Sequence, residues 1–216
     1  MASAIDVSDM YPVHNAFRDT LSAAPHLVRG VPDGDDARRD LIANFYGNII
    51  AFLHVHHDGE EELVFPLLRE RCPDDLVLIE SIASQHRDVD DLVNQSVAFL
   101  DQWTTGSAEA QAQCADTLKA LGVAMTEHLD DEETRLLPLC STTLTEQEWG
   151  ALPGHGMAAF AGDKIWLILG LIRQRMNDEQ RARMLAFMPP PAVEMWTNLG
   201  EPSFNRLMAE IGPLQP

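Results

Sequence analysis

The sequence is most telling first in what it lacks. It has three cysteines, Cys72, Cys114 and Cys140. They are scattered and odd in number, which excludes a disulfide framework and fits reduced thiols in a cytoplasmic protein. Positive charge is scarce: 15 Lys and Arg stand against 34 Asp and Glu, for a net charge of -19. Such a chain repels nucleic acid and anionic lipid, so neither is an expected partner. The N-terminus, MASAIDVSDMYPVH, has no basic start followed by an apolar run, so no secretory signal is expected. The longest apolar run is IWLILGLI, residues 165 to 172, well short of the ~20 residues that span a bilayer. Runs of alternating Val, Ile and Thr, which would indicate strands, do not occur. Nucleophile and phosphate-loop patterns are also missing, and nothing points to an organic substrate. Lysine is rare, while arginine and alanine are common, which suggests a GC-rich bacterial genome.

What is present is helical. Apolar residues make up 45% of the chain, enough for a core. They recur at intervals of three and four, as at Ile49, Ile50, Phe52 and Leu53 and again at Leu63, Val64 and Leu67. Breakers stand at Pro25, at GVPDGDD from Gly30, at Cys72-Pro73, at Thr104-Thr105-Gly106-Ser107 and at LPGHG from Leu152. The spacing predicts four long helices at about 8–29, 35–71, 74–103 and 107–139. With short connections these make an up-down four-helix bundle, so the fold class is all-α. Residues 8–141 form the expected bundle domain and residues 142–216 a C-terminal helical extension packed on it. In the extension, Thr145 and Glu148 fit a capping box. Residues 152–156 read as a turn, with a longer helix beyond it running to about Arg175. Ile165 to Ile172 should bury against the bundle, or else form a homodimer seam. Three prolines at 189–191 end one helix and permit the next.

The long helices contain a repeat. EHLDDEETRLLP, from residue 127, restates HHDGEEELVFP, from residue 56. His56 and His128 lie 72 positions apart, as do Glu60 and Glu132, Pro66 and Pro138, and, on the preceding helices, His14 and His86. Each copy is one helical hairpin. Its first helix carries a lone His, and its second carries His-x-x-x-Glu ahead of a proline.

That spacing suits a metal. Residues i and i+4 share a helix face one turn apart, so His56 with Glu60 and His128 with Glu132 can converge on shared cations. His14 and His86 add one imidazole each if the hairpins pack about a pseudo-twofold axis. Buried imidazoles and carboxylates without partners cost several kcal/mol each, and a pair of divalent cations supplies the compensating charge. Mixed nitrogen and oxygen ligation without thiolate favours iron or manganese over structural zinc. One His-x-x-x-Glu is common on solvated helix faces, but two in register with a further in-register His pair are hard to obtain by chance. His57 with Glu61 also has the i, i+4 spacing, but only His56 with Glu60 matches the second copy. His57, about 100° further round the helix, is therefore an additional ligand or an outer residue. Glu61, Glu62 and Glu133 read as rim acids, His54 and His26 as outer or surface residues, and His155 as a turn residue. Gly59 either leaves room for a small molecule to enter or is a tolerated glycine.

At these residues the sequence resembles the hemerythrin-like, HHE cation-binding domain family, here a bacterial member with a C-terminal extension. The matching pieces are VHNAFR, HVHHDGEEELVFPLL, QHRDVDDL and EHLDDEETRLLPL. The resemblance implies a four-helix bundle holding an oxygen-bridged non-haem di-iron centre, its two iron ions bound by His14, His56, Glu60, His86, His128 and Glu132. Members bind dioxygen reversibly, sense oxygen or iron, or handle peroxide and nitric oxide. Oxygen carriers of the family place a second His four residues after the first on the third helix, and here that position is Asp90. A carboxylate there, or water in its stead, opens the site or makes it more anionic. The expected function is thus reaction with dioxygen or peroxide, with catalase-like or oxidase activity. The alternative is a reversible sensor of dioxygen, nitric oxide or iron without turnover. A third reading has the metals merely staple the bundle.

Overall fold

The computed structural model describes residues 4–106, 108–160 and 164–214. Ser107, the last residue of the turn expected after the third helix, lies outside the described residues. Among the described residues every regular element is helical. The first hairpin is α1 (Met10–Arg29) and α2 (Asp36–Gly59), which runs through a π-helical turn (Glu60–Val64) into α3 (Phe65–Arg71). The second hairpin is α4 (Leu76–Thr104) and α5 (Ala108–Asp131), which runs through a π-helical turn (Glu132–Leu136) into α6 (Leu137–Thr143). Helix α1 packs on α2 and α5, and α4 packs on α5 and α2, which closes the four-helix bundle.

The two π turns sit at the same place in each repeat, and the prolines explain them. Pro66 and Pro138 have no N–H to donate, and their rings crowd the carbonyl four residues earlier. The preceding residue then bonds one place further back: the Phe65 N–H donates to the Glu60 carbonyl, and the Leu137 N–H to the Glu132 carbonyl. Such single π turns recur at functional sites, and each here begins at the glutamate of the repeat. By contrast Pro25, expected to break the first helix, lies inside α1. It removes one donor near the helix end, and the surrounding burial of Ala23, Ala24, Leu27 and Val28 carries the helix on to Arg29.

The core is two apolar clusters with a polar layer between them. One contains Phe17, Leu21, Phe45, Ile49, Leu53, Val89, Leu118 and Leu129. The other contains Met10, Val64, Phe65, Leu68, Ile79, Ile82, Leu136 and Leu137. Each bundle helix passes from one cluster to the other where its repeat motif lies. On α1, His14 falls between Met10 and Phe17; on α4, His86 falls between Ala83 and Val89. Each buried Leu- or Phe-sized side chain contributes roughly 1.5–3 kcal/mol, so the clusters on both sides hold the polar layer in place.

The C-terminal third comprises α7 (Glu146–Trp149), α8 (Ala151–Ala159), α9 (Lys164–Arg175), α10 (Asp178–Phe187), α11 (Pro190–Met195), a third π turn (Trp196–Gly200) and α12 (Glu201–Ile211). The capping box forms: the Thr145 hydroxyl accepts from the Glu148 N–H, and the Glu148 carboxylate accepts from the Thr145 N–H. Residues 152–156 are helical rather than a turn. Pro153 occupies the first turn of α8, where a donor is not needed, and α8 packs against α2. Helix α9 buries Trp166, Leu167, Ile168 and Leu171 and packs on α1 and α2, joining the larger cluster. The start of the chain is tied down as well. The Ile5 N–H donates to the Ser141 carbonyl at 2.8 Å, and the Trp149 indole N–H donates to Asp9 Oδ1 at 2.9 Å. No helix of the described residues is long and apolar enough to cross a membrane.

Candidate metal centre

Seven side chains form the polar layer: His14, His56, His57, Glu60, His86, His128 and Glu132. All are buried, with Glu60 3% and Glu132 0% exposed. His14 Nε2 lies 3.5 Å from Glu132 Oε2, His86 Nε2 3.5 Å from Glu60 Oε2, and His128 Nε2 3.5 Å from Glu132 Oε1. His56 Nε2 lies 3.8 Å from Glu60 Oε1. The donors fall into two groups. One is His14, His56, Glu60 and Glu132, the other His57, His86 and His128, and within each group the ligand atoms lie within 4.8 Å of one another.

The electrostatics match this arrangement. Burial lowers His56 to about 3, helped by His14, and lowers His128 to about 4. Burial, followed by the neighbouring His86, also drives His57 well below 6.5. These imidazoles are neutral and carry free lone pairs. Burial, reinforced by the Glu132 charge, pushes the Glu60 carboxyl well up. At Glu132 burial acts in the same direction, but the surrounding imidazoles, His128 first, outweigh it and hold the carboxyl at about 2. Without cations, then, burial and the charge on Glu132 both disfavour a charged Glu60.

The donor set fits divalent metal. His14 Nε2, His56 Nε2, His128 Nε2, both ring nitrogens of His57 and His86, Glu60 Oε2 and both Glu132 oxygens are buried with no hydrogen-bond partner. An unpartnered buried group costs roughly 1–3 kcal/mol, and a whole layer of them converging on one place needs compensation of the opposite sign. Acceptor nitrogens and carboxylate oxygens without thiolate suit first-row divalent metals, iron and manganese among them.

Outer residues fix the imidazoles, and they cross between hairpins. His14, on the first hairpin, donates its Nδ1–H to Glu133 Oε1, on the second, at 2.9 Å. His86, on the second, places Nδ1 3.3 Å from Glu61 Oε1, on the first. Glu61 and Glu133 are again 72 positions apart. Arg18 holds Glu133 through Nη1 at 2.6 Å and reaches Asp130 through Nη2 at 2.7 Å. His128 donates Nδ1–H to Gln85 Oε1 at 3.1 Å, because the Gln85 amide nitrogen is engaged by Asp131 at 2.8 Å. The bonds of His14 and His128 leave Nε2 free to face the centre, as outer partners of metal-binding histidines do, while Glu61 stands beside His86 as an ion-pair neighbour without a hydrogen bond.

The six residues expected from the repeat are therefore brought together. His57, read as an additional ligand or an outer residue, joins them: its ring stacks on His86 with centroids 4.0 Å apart and planes 10° from parallel. Asp90, the other candidate, does not. Its side chain is 46% exposed and faces His54, whose Nδ1 is 4.0 Å away. An Asp at this position lies at the bundle surface, and the imidazole on the adjacent helix takes the interior place. Glu61 is 40% exposed and Glu62 66% by side chain, as rim acids should be. Gly59 is not an opening: a Cβ there would meet His155 and Leu152 of α8 at 3.3 Å. His155 belongs to that covering helix rather than to a turn, with Nδ1 3.8 Å from Glu62. His26 is exposed. The crossed acids were not foreseen, and their shared spacing in the repeat is the signal that could have revealed them.

Compared with known proteins, residues 6–140 match the family model described as the hemerythrin HHE cation binding domain. No curated protein and no solved structure matches.

Proposed function

The chain belongs to the hemerythrin HHE cation-binding domain family, and on that premise we propose that it is a non-haem di-iron protein that reacts with dioxygen or peroxide. The observation that carries this reading is the layer of seven buried donors, five imidazoles and two carboxylates, whose metal-facing atoms lack partners. His14 and His56 would hold one iron, and His57, His86 and His128 the other. Glu60 and Glu132 lie between the two sets of imidazoles, where their carboxylates would be shared by the irons and offset their charge. Two bound irons supply the electrons for small oxygen species, while the protein supplies position and exclusion of water. The group with two imidazoles has fewer nitrogen donors and, with both carboxylates shared, would leave more room for a small ligand. Its outer wall is apolar: the Phe17 ring lies 5.3 Å from that of His56 and stacks on Phe52 at 4.5 Å.

A second reading, reversible binding of dioxygen or nitric oxide without turnover, is favoured by His57. It supplies the imidazole that Asp90 does not, so the donor set is less anionic than the third helix alone implies. One experiment separates the two. Iron-loaded protein is assayed for metal content, then for its visible spectrum and for oxygen evolution during addition of peroxide. About two irons per chain with sustained oxygen evolution supports the reaction. A spectrum that changes with ligand and returns on its removal, without turnover, supports reversible binding. Iron that ignores both peroxide and dioxygen overturns both readings.

A further inference from the structure

The C-terminal extension holds a second set of buried polar atoms without partners, apart from the His and Glu layer. Trp196 is 2% exposed, and its indole N–H meets no acceptor. Arg173 Nη1 is likewise buried and unpartnered. Both residues line a cavity of about 140 Å³ between α9, the third π turn and α12, with Arg181 also on its wall. Indole and guanidinium can donate hydrogen bonds but not accept them, so the cavity offers donors that call for an acceptor.

The fold keeps this place open by design of its glycines and proline. Pro202 cannot donate, so the Glu201 N–H bonds back to the Trp196 carbonyl and opens the third π turn at Trp196. A Cβ on Gly170 would lie 2.3 Å from the Phe204 ring, and one on Gly200 would lie 2.8 Å from Trp196. Gly170 thus makes room for the Phe204 ring, and Gly200 for the rings of Trp166 and Trp196; Phe204 and Trp196 form the apolar side of the cavity.

Charge and size narrow the ligand. Two arginines and one acid, Glu201, line the cavity. Glu201 Oε1 is 3.8 Å from Arg173 Nε, too far for a hydrogen bond, and leaves Nη1 unengaged. Arg181 is held in place by donating Nε–H to the Arg173 carbonyl at 3.2 Å. The lining thus carries one net positive charge on a chain of net charge -19. The planar fork of an arginine matches a carboxylate. A cavity of about this volume accommodates roughly six non-hydrogen atoms, the size of benzene. We propose that this cavity binds a small monocarboxylate, its carboxylate on Arg173 and the Trp196 N–H and its short apolar tail against Phe204.

The test uses the iron-loaded 216-residue chain and sodium butyrate at constant ionic strength, followed by calorimetry and tryptophan fluorescence. The expected result is saturable binding of about one butyrate per chain, with no binding of the neutral isostere butyramide. Arg173→Gln should weaken binding about tenfold or more while leaving the iron content and visible spectrum unchanged. Arg173→Lys, which keeps the charge but loses the fork, should fall between, and it serves if Arg173→Gln fails to fold. Three outcomes overturn the proposal: no saturable binding of butyrate, binding that is equal in a folded Arg173 variant, or binding of inorganic phosphate in preference to butyrate. Binding at the iron centre instead would survive Arg173 substitution and alter the visible spectrum.

Discussion

The first hairpin, α1 to α3, and the second, α4 to α6, share one pattern but not one environment. His14, His56 and Glu60 answer His86, His128 and Glu132 position for position, and even the π turns coincide. Four of the departures bear on the centre. His57 stands where the second hairpin has Leu129, Gly59 where it has Asp131, Val13 where it has Gln85, and Arg18 where it has Asp90. The repeat places the donors, and the departures make the two donor groups unequal. His57 adds a third imidazole to the His86 and His128 group, and Gly59 lets α8 lie close against the first hairpin. A symmetric scaffold thus holds an asymmetric centre.

The sharpest way to break this comparison is at the two acids that lie between the donor groups. Glu132→Ala should lose most of the bound iron, and Glu60→Ala should match it, since both carboxylates lie between the two groups; metal analysis of the purified variants measures it. Glu133→Ala should keep most of its iron, and equal losses in Glu132→Ala and Glu133→Ala would place the bridge on the wrong residue. Next comes removal of the metals themselves. Each site saturated at 100 times its dissociation constant adds about 2.7 kcal/mol. At about 2–4 °C per kcal/mol for a chain of this size, chelation should lower the melting temperature by about 10–20 °C, read by circular dichroism. Imposing the second hairpin on the first with His57→Leu should be milder, removing about one iron of the two. Retention of both irons would show that His57 only packs on His86. The smallest effect concerns the crossed acids. Loss of an outer partner weakens metal binding about 10–100-fold. Glu133→Gln should sit at the upper end of that range and Glu61→Gln at the lower. His14 bonds Glu133 at 2.9 Å with Arg18 behind it, whereas Glu61 is 3.3 Å from His86 and 40% exposed. Competition with a chelator ranks the two.

Much of this was legible in the sequence because it rests on local spacing. The helical period, the proline after each motif and the shared register of His14 with His86 need no knowledge of the third dimension. The four-helix bundle follows from them, as does the set of six converging donors. What escaped depends on packing between helices. His57 is one residue from His56 and 100° round α2. Only the position of α4 decides that its ring meets His86, while Asp90, correctly spaced on α4, turns to the surface. The pairing of Glu61 with His86 and of Glu133 with His14 joins residues on opposite hairpins. Prolines were read as breakers, yet Pro25 and Pro153 lie within helices where burial or a first-turn position spares them a donor. Pro66 and Pro138 widen their helices instead of ending them.

The crossed acids make each half of the bundle the custodian of the other's imidazole. A chain severed near Asp75, between the halves, should therefore yield two pieces that bind iron only when mixed, because each alone would hold a histidine with nothing to aim it and a carboxylate with nothing to share. Duplication here has produced an interlock rather than two autonomous sites.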